Sequence, residues 1–206
     1  MIRFLLLQSA ALALMCGAAS VPVSAQTQGH SVAAQAGTAA RTHLAARKQS
    51  RKEASTNSAT SGAMELGKFG DWGAYMAGTG ANKVCFALSQ PLERLPKGLN
   101  RDPAYIFITS RPAQNVRNEV AFMLGFGLKA SADGTATIDG HAFALESKDK
   151  TAFVKNAAEE PQMVQAMRAG AKLSVKTTSL RGNVTTDSYS LSGLTKALDK
   201  VQSDCK

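Results

Sequence analysis

The sequence predicts a mainly β protein, an antiparallel sandwich or partly closed barrel carrying two short helices. Three observations lead there. From Met64 onward about eight short apolar runs succeed one another with a strand-like period. Gly, Pro, Asn and Asp punctuate the gaps between them with turn chemistry. Only two stretches show helical spacing, too few to supply the crossovers of a parallel α/β sheet.

The elements are read in chain order. Arg3 precedes residues 4–19, which carry no charge, and Val23-Ser24-Ala25 supplies small residues at a cleavage position. Residues 1–25 are therefore expected to be a signal peptide that exports the chain and is removed. The apolar run is short for a membrane span, which needs about 20 apolar residues, so no transmembrane helix is expected after cleavage. Cys16 comes after Met15, where a lipid-modified cysteine requires a small residue, so a lipid anchor is not expected. Cleavage leaves about 180 residues, enough for one domain and a tail.

Residues 26–62 contain no Phe, Tyr, Trp, Ile or Met and are rich in Ala, Ser, Thr and Gln. Such a segment buries too little apolar surface to offset the entropy of ordering, and it reads as a disordered spacer. The Ala-rich part, 31–52, forms a helix only with a partner, because Val32 and Leu44 make no continuous stripe. Arg41, Arg47, Lys48, Arg51 and Lys52 face the single acid Glu53 and concentrate part of the formal net charge of +9 here. They are candidate contacts to anionic lipid or polysaccharide, set against the plainer reading of a solvated basic linker. An export signal and the lack of interleaved aromatics argue against nucleic acid.

The folded domain, 63–206, begins where Leu66, Phe69, Trp72 and Tyr75 appear. Residues 83–89 and 104–109 read as core strands, ended by Gln90-Pro91 and Arg111-Pro112. A third apolar run covers 119–124. Asp133-Gly134 and Asp139-Gly140 bracket a short strand at 135–138, and two more come at 141–146 and 151–154. Glu159, Glu160 and Pro161 suit the start of a helix whose face is Met163, Val164 and Met167, ending at Gly170. Residues 172–179 and 184–191 alternate across Arg181-Gly182-Asn183 and predict a hairpin. Ser192 is the expected cap of a last helix with Leu194, Ala197, Leu198 and Val201 at i, i+3, i+4 and i+7.

With the signal removed, Cys85 and Cys205 are an even pair in an oxidising compartment and are expected to be bonded. Neither has the neighbours of a metal site or a reactive thiol, and no cofactor is implied. Other candidates for chemistry meet plainer explanations. His141 sits at a turn without an evident nucleophile and acid; a hydrolase pairing it with a serine such as Ser147 is the least favoured reading. Glu159 and Glu160 are accounted for by the helix dipole. Gly78, Gly80, Gly125 and Gly127 lack the rest of a phosphate-loop pattern. Arg111 and Arg117 flank a loop and are candidate anion contacts, against a solvated loop or a salt bridge. The lone Trp72 reads as a core residue before a stacking platform.

The ordered set Phe69-Gly70-Asp71-Trp72, residues 84–91, Arg101-Asp102-Pro103-Ala104-Tyr105, Arg111-Pro112, Asn118-Glu119-Val120, residues 177–182 and Thr186-Asp187-Ser188-Tyr189, with a closing cysteine, resembles the invasion-associated locus B family. The resemblance covers the folded domain and not the spacer. It implies an immunoglobulin-like β-sandwich, export to the periplasm or outer membrane of an alphaproteobacterium, an association with host-cell entry and virulence in some pathogens, and no catalytic residues. Many such proteins carry another cysteine just after the tryptophan, where this chain has Tyr75 and Met76. That departure leaves Cys85 to Cys205 as the intramolecular option. The expected function is a non-enzymatic envelope protein with an unknown protein or envelope partner. The alternative is a structural component tethered by its basic spacer to an anionic polymer.

Overall fold

The structure, a computed structural model, describes residues 59–130 and 132–206. The signal segment and the spacer as far as residue 58, including Arg41, Arg47, Lys48, Arg51 and Lys52, lie outside the described residues. From Ala59 onward the chain forms an antiparallel β-sandwich with two short helices, as the sequence predicts.

Eleven strands run β1 (Met64–Phe69), β2 (Trp72–Ala77), β3 (Val84–Ser89), β4 (Glu93–Leu95), β5 (Tyr105–Arg111), β6 (Val116–Met123), β7 (Gly134–Ile138), β8 (His141–Lys148), β9 (Thr151–Val154), β10 (Lys172–Thr178) and β11 (Val184–Ser190). Helix α1 spans Glu160–Ala169 and α2 spans Leu194–Asp204. The strands join in one antiparallel sheet of order β1-β2-β3-β5-β6-β9-β8-β7-β10-β11-β4. Asp139 and Gly140 both have positive φ, 44° and 96°, as the tight turn between β7 and β8 requires.

The sheet curls so that its beginning meets its end. Trp72 Nε1 on β2 donates to the Ser190 carbonyl on β11 at 3.0 Å, and the Asp71 N–H donates to the Ser192 carbonyl at 3.2 Å. Inside lie alternate residues of the strands, among them Ile106, Ile108, Phe122, Leu145, Ile138, Leu173 and Val175. Helix α1 inserts Met163, Val164 and Met167 into this core, and α2 adds Leu194, Ala197, Leu198 and Val201 against β1, β2 and β3. Cys85 on β3 is bonded to Cys205 just beyond α2, with Cα atoms 5.9 Å apart. The bond ties the last turn of the chain to a central strand.

Two local expectations are corrected. Three strands beyond the expected eight are present: β1 and β2 are interrupted by Gly67 and Gly73, and β4 is three residues between two prolines. β1 and β2 carry strand formers such as Phe69, Trp72 and Tyr75 but each is broken by a glycine, and pairing with neighbours makes all three segments strands. Ser192 does not cap α2. Gly193 holds the cap position at φ 92°, because the backbone there approaches the Phe69 carbonyl too closely for any Cβ.

Candidate functional site

One end of the sandwich carries an open cleft of about 390 Å³ between the loop after β4, the bend after β6 and the β10–β11 hairpin. Leu99, Arg101, Lys150, Leu180, Arg181 and Asn183 are among its lining residues. Gly125 makes the bend possible: at φ 73° its Cα lies against the Asp102 carbonyl, where a side chain has no room.

Beneath the cleft is a buried ion network. Asp187 faces inward from β11, where its side chain exposes nothing. Arg94 Nε donates to its Oδ2 at 3.0 Å, and Arg101 Nη1 reaches its Oδ1 at 3.4 Å. The rest of each guanidinium binds backbone. Arg94 donates to the carbonyls of Leu124 at 2.6 Å and Asp102 at 2.7 Å, and Arg101 to that of Pro96 at 3.0 Å. Two arginines thus fasten the β4 loop and the end of β6 to β11, giving the cleft a rigid floor. Burial pushes the Asp187 carboxyl up, against the opposing pull of Arg94 and then Arg101. Burial and the adjacent Arg94 draw the Arg101 guanidinium down, with Asp187 opposing. Next to this network the Tyr189 hydroxyl is buried with no hydrogen-bond partner, and burial pushes its pKa far up.

The rim is apolar. Leu99 and Leu180 line the cleft, Leu180 being 71 % exposed, and Leu92, Leu95 and Val184 are exposed nearby in sequence, beside or within β4 and at the start of β11. They make up most of the exposed large hydrophobic side chains among the described residues. Arg181 beside Leu180 is exposed, while Lys150 lies 3.5 Å from Asp102 in a solvated pair.

The residues singled out from sequence fall elsewhere. Arg111 Nη2 lies 3.0 and 2.9 Å from the two oxygens of Glu119, and its Nε donates to Gln114, so its charge is engaged in a salt bridge. Arg117 is exposed beside Gln202 and Cys205 in a small crevice. His141 is exposed at the start of β8, and Ser147 lies six positions along the same strand. At about 3.3 Å per residue they are about 20 Å apart, and no Ser–His pair forms. Trp72 is in the core. Glu160 does more than complement a helix dipole: its Oε1 accepts the Val120 N–H of β6 at 2.7 Å, while Asn156 caps the preceding turn. Among the described residues there is no cluster of three or more metal-ligating acids, histidines or cysteines, and no helix long and apolar enough to cross a membrane.

Sequence reasoning missed Arg94, Arg101 and Asp187 as a unit. The signal lay in the sequence motifs, since Arg101-Asp102-Pro103 and Thr186-Asp187-Ser188-Tyr189 each contribute one member.

Sandwich, terminal disulfide and buried ion network define a small stapled β domain with a structured cleft. The model of the invasion associated locus B (IalB) protein family matches residues 77–202, and the chain belongs to that family. Among solved structures it is similar to the crystal structure of invasion associated protein B from Bartonella henselae, at 18 % identity and a TM-score of 0.48, over 68 % of this chain and 96 % of that one. No curated protein matches it.

Proposed function

We propose that the protein is an exported, non-enzymatic envelope component that binds a protein partner through the cleft and its rim, contributing to host-cell invasion or envelope integrity. The carrying observation is the contrast between floor and rim. The Arg94–Asp187–Arg101 network holds the loops in place, while large apolar side chains stand in solvent around them. Neighbouring exposed apolar residues on a preorganised surface are characteristic of interaction sites. The exposed Arg181 favours a partner with an acidic group facing the hairpin.

The test is crosslinking in intact cells with the native chain and the double variant Leu180→Ser, Arg181→Glu. Both residues are exposed, so the variant should fold and export normally while losing the captured partner. Undiminished capture by a folded variant refutes the cleft as the contact surface.

A further inference from the structure

The floor of the cleft carries more positive charge than it neutralises. Two guanidinium side chains, Arg94 and Arg101, 20 % and 7 % exposed, share the one carboxylate of Asp187. Asp102, the acid among the residues lining the cleft, is exposed and paired with Lys150. One positive charge is therefore left over where little water reaches, and an uncompensated ion in such a place is costly.

Arg101 brings that charge to the cleft, which it lines. Its Nη1 reaches Asp187 and the Leu95 carbonyl and its Nη2 donates to the Pro96 carbonyl, whereas its Nε donates to no group among the described residues. The guanidinium is thus fixed in place with an N–H still to offer. An anion there also relieves the burial and the repulsion from Arg94 that draw this guanidinium down. Apolar groups stand beside it: Leu99, Phe126 and Leu180 line the same cleft. Leu180 is held over the bend after β6, since its N–H donates to the Gly127 carbonyl at 2.9 Å and its side chain fills the space that a Cβ on Gly127 would need.

The complement of such a site is one negative charge joined to an apolar group. A carboxylate supplies the single charge that the floor lacks, in the planar form a guanidinium binds best. A phosphate ester, with nearly two negative charges, would exchange surplus positive charge for surplus negative. A volume of about 390 Å³ lies in the lower part of the range for small-ligand sites and suits the end of a chain or one side chain with its neighbours. We propose that the cleft takes one carboxylate of a partner polypeptide at Arg101, with the adjoining apolar side chain on Leu99, Phe126 and Leu180, and that the exposed Arg181 steers it in. This rests on the reading of the cleft as the binding surface and adds the chemical group that it selects.

Nuclear magnetic resonance titration of the exported, disulfide-bonded chain tests this without a substitution. The probes are N-acetyl-leucyl-phenylalanine and its C-terminal amide, N-acetyl-leucyl-glutamyl-leucinamide and its glutamine counterpart, and inorganic phosphate. At least one carboxylate probe should bind about ten-fold or more tightly than its neutral counterpart, moving the Arg101 Nε–H signal and the Gly127 and Leu180 amides. Preference for the dipeptide acid assigns the group to a chain terminus, and preference for the glutamyl peptide assigns it to a side chain. The proposal is overturned if neither carboxylate is preferred, if the Arg101 Nε–H signal stays still while a probe binds, or if phosphate binds more tightly than both. Should any of these occur while crosslinking in cells still depends on Leu180 and Arg181, the cleft remains the contact surface and only its selectivity for a carboxylate falls.

Discussion

Arg94 Nε lies 3.0 Å from Asp187 Oδ2, joining a three-residue edge strand to a carboxylate that solvent does not reach. The pair is 93 residues apart in sequence, and Arg101 completes it from the loop after β4. Asp187→Asn should cost about 3–5 kcal/mol, because it leaves two guanidiniums facing each other with no counter-charge. Arg94 keeps some solvent contact, which favours the lower part of that range. Urea unfolding of both proteins reads the difference, and a midpoint unchanged from native contradicts the network's structural role.

Next to Asp187 the buried Tyr189 hydroxyl has no partner. A lone buried hydroxyl costs desolvation without a compensating bond. Tyr189→Phe is therefore expected to be neutral or to stabilise by up to about 1 kcal/mol. Thermal unfolding checks the sign, and a clear loss of stability would show that the hydroxyl is satisfied in solution.

The Cys85–Cys205 bond closes a loop of 120 residues by sequence separation. For loops of that size the chain-entropy model gives about 4–5 kcal/mol, and native removals fall near 2–5 kcal/mol. The double variant Cys85→Ala, Cys205→Ala should lower the denaturant midpoint accordingly and leave the denaturation insensitive to reductant. If reductant leaves the midpoint of the native protein unchanged, the bond is not formed in the exported chain.

Glu160 supplies the pH dependence that is simplest to isolate. Burial raises its pKa from the ordinary glutamate range, the Val120 N–H acts against that rise, and Glu119 adds to it. A carboxyl raised on folding holds its proton more tightly in the native state, so native stability falls as pH rises from the ordinary glutamate value through the raised one. Glu160→Gln keeps an acceptor for Val120 and removes this titration. Relative to native, the variant should gain stability across that window. Unfolding midpoints taken as a pH series decide it, and a relative loss with rising pH reverses the assignment.

The β class and much of its order were legible because they rest on local pattern. Leu173, Val175 and Thr177 alternate as a half-buried strand must, and all three are buried. Met163, Val164 and Met167 share one helical face for the same kind of reason, and they lie in the core. The strand at residues 151–154 has the same bounds in sequence pattern and structure. Export and the basic spacer belong to residues outside the described ones, where they stay expectations.

The candidate site was not legible, and particular residues show why. Thr185, Thr186, Asp187 and Ser188 are four polar residues in a row, yet Thr185 and Asp187 are buried. Arg111 and Arg117 stood out by sitting next to a turn, whereas Arg94 and Arg101 looked like loop charges. Charge alone does not distinguish a guanidinium that waits for a ligand from one that fastens loops.

From the sequence alone came the strand periods, the two helical faces and the cysteine pair that closes the domain, all determined by side-chain periodicity and composition over a few residues. Which charges are buried and where a cleft opens were decided only by tertiary structure. Those outcomes depend on which distant segments meet: a carboxylate such as Asp187 can be kept from water only where folding brings Arg94 and Arg101 to it.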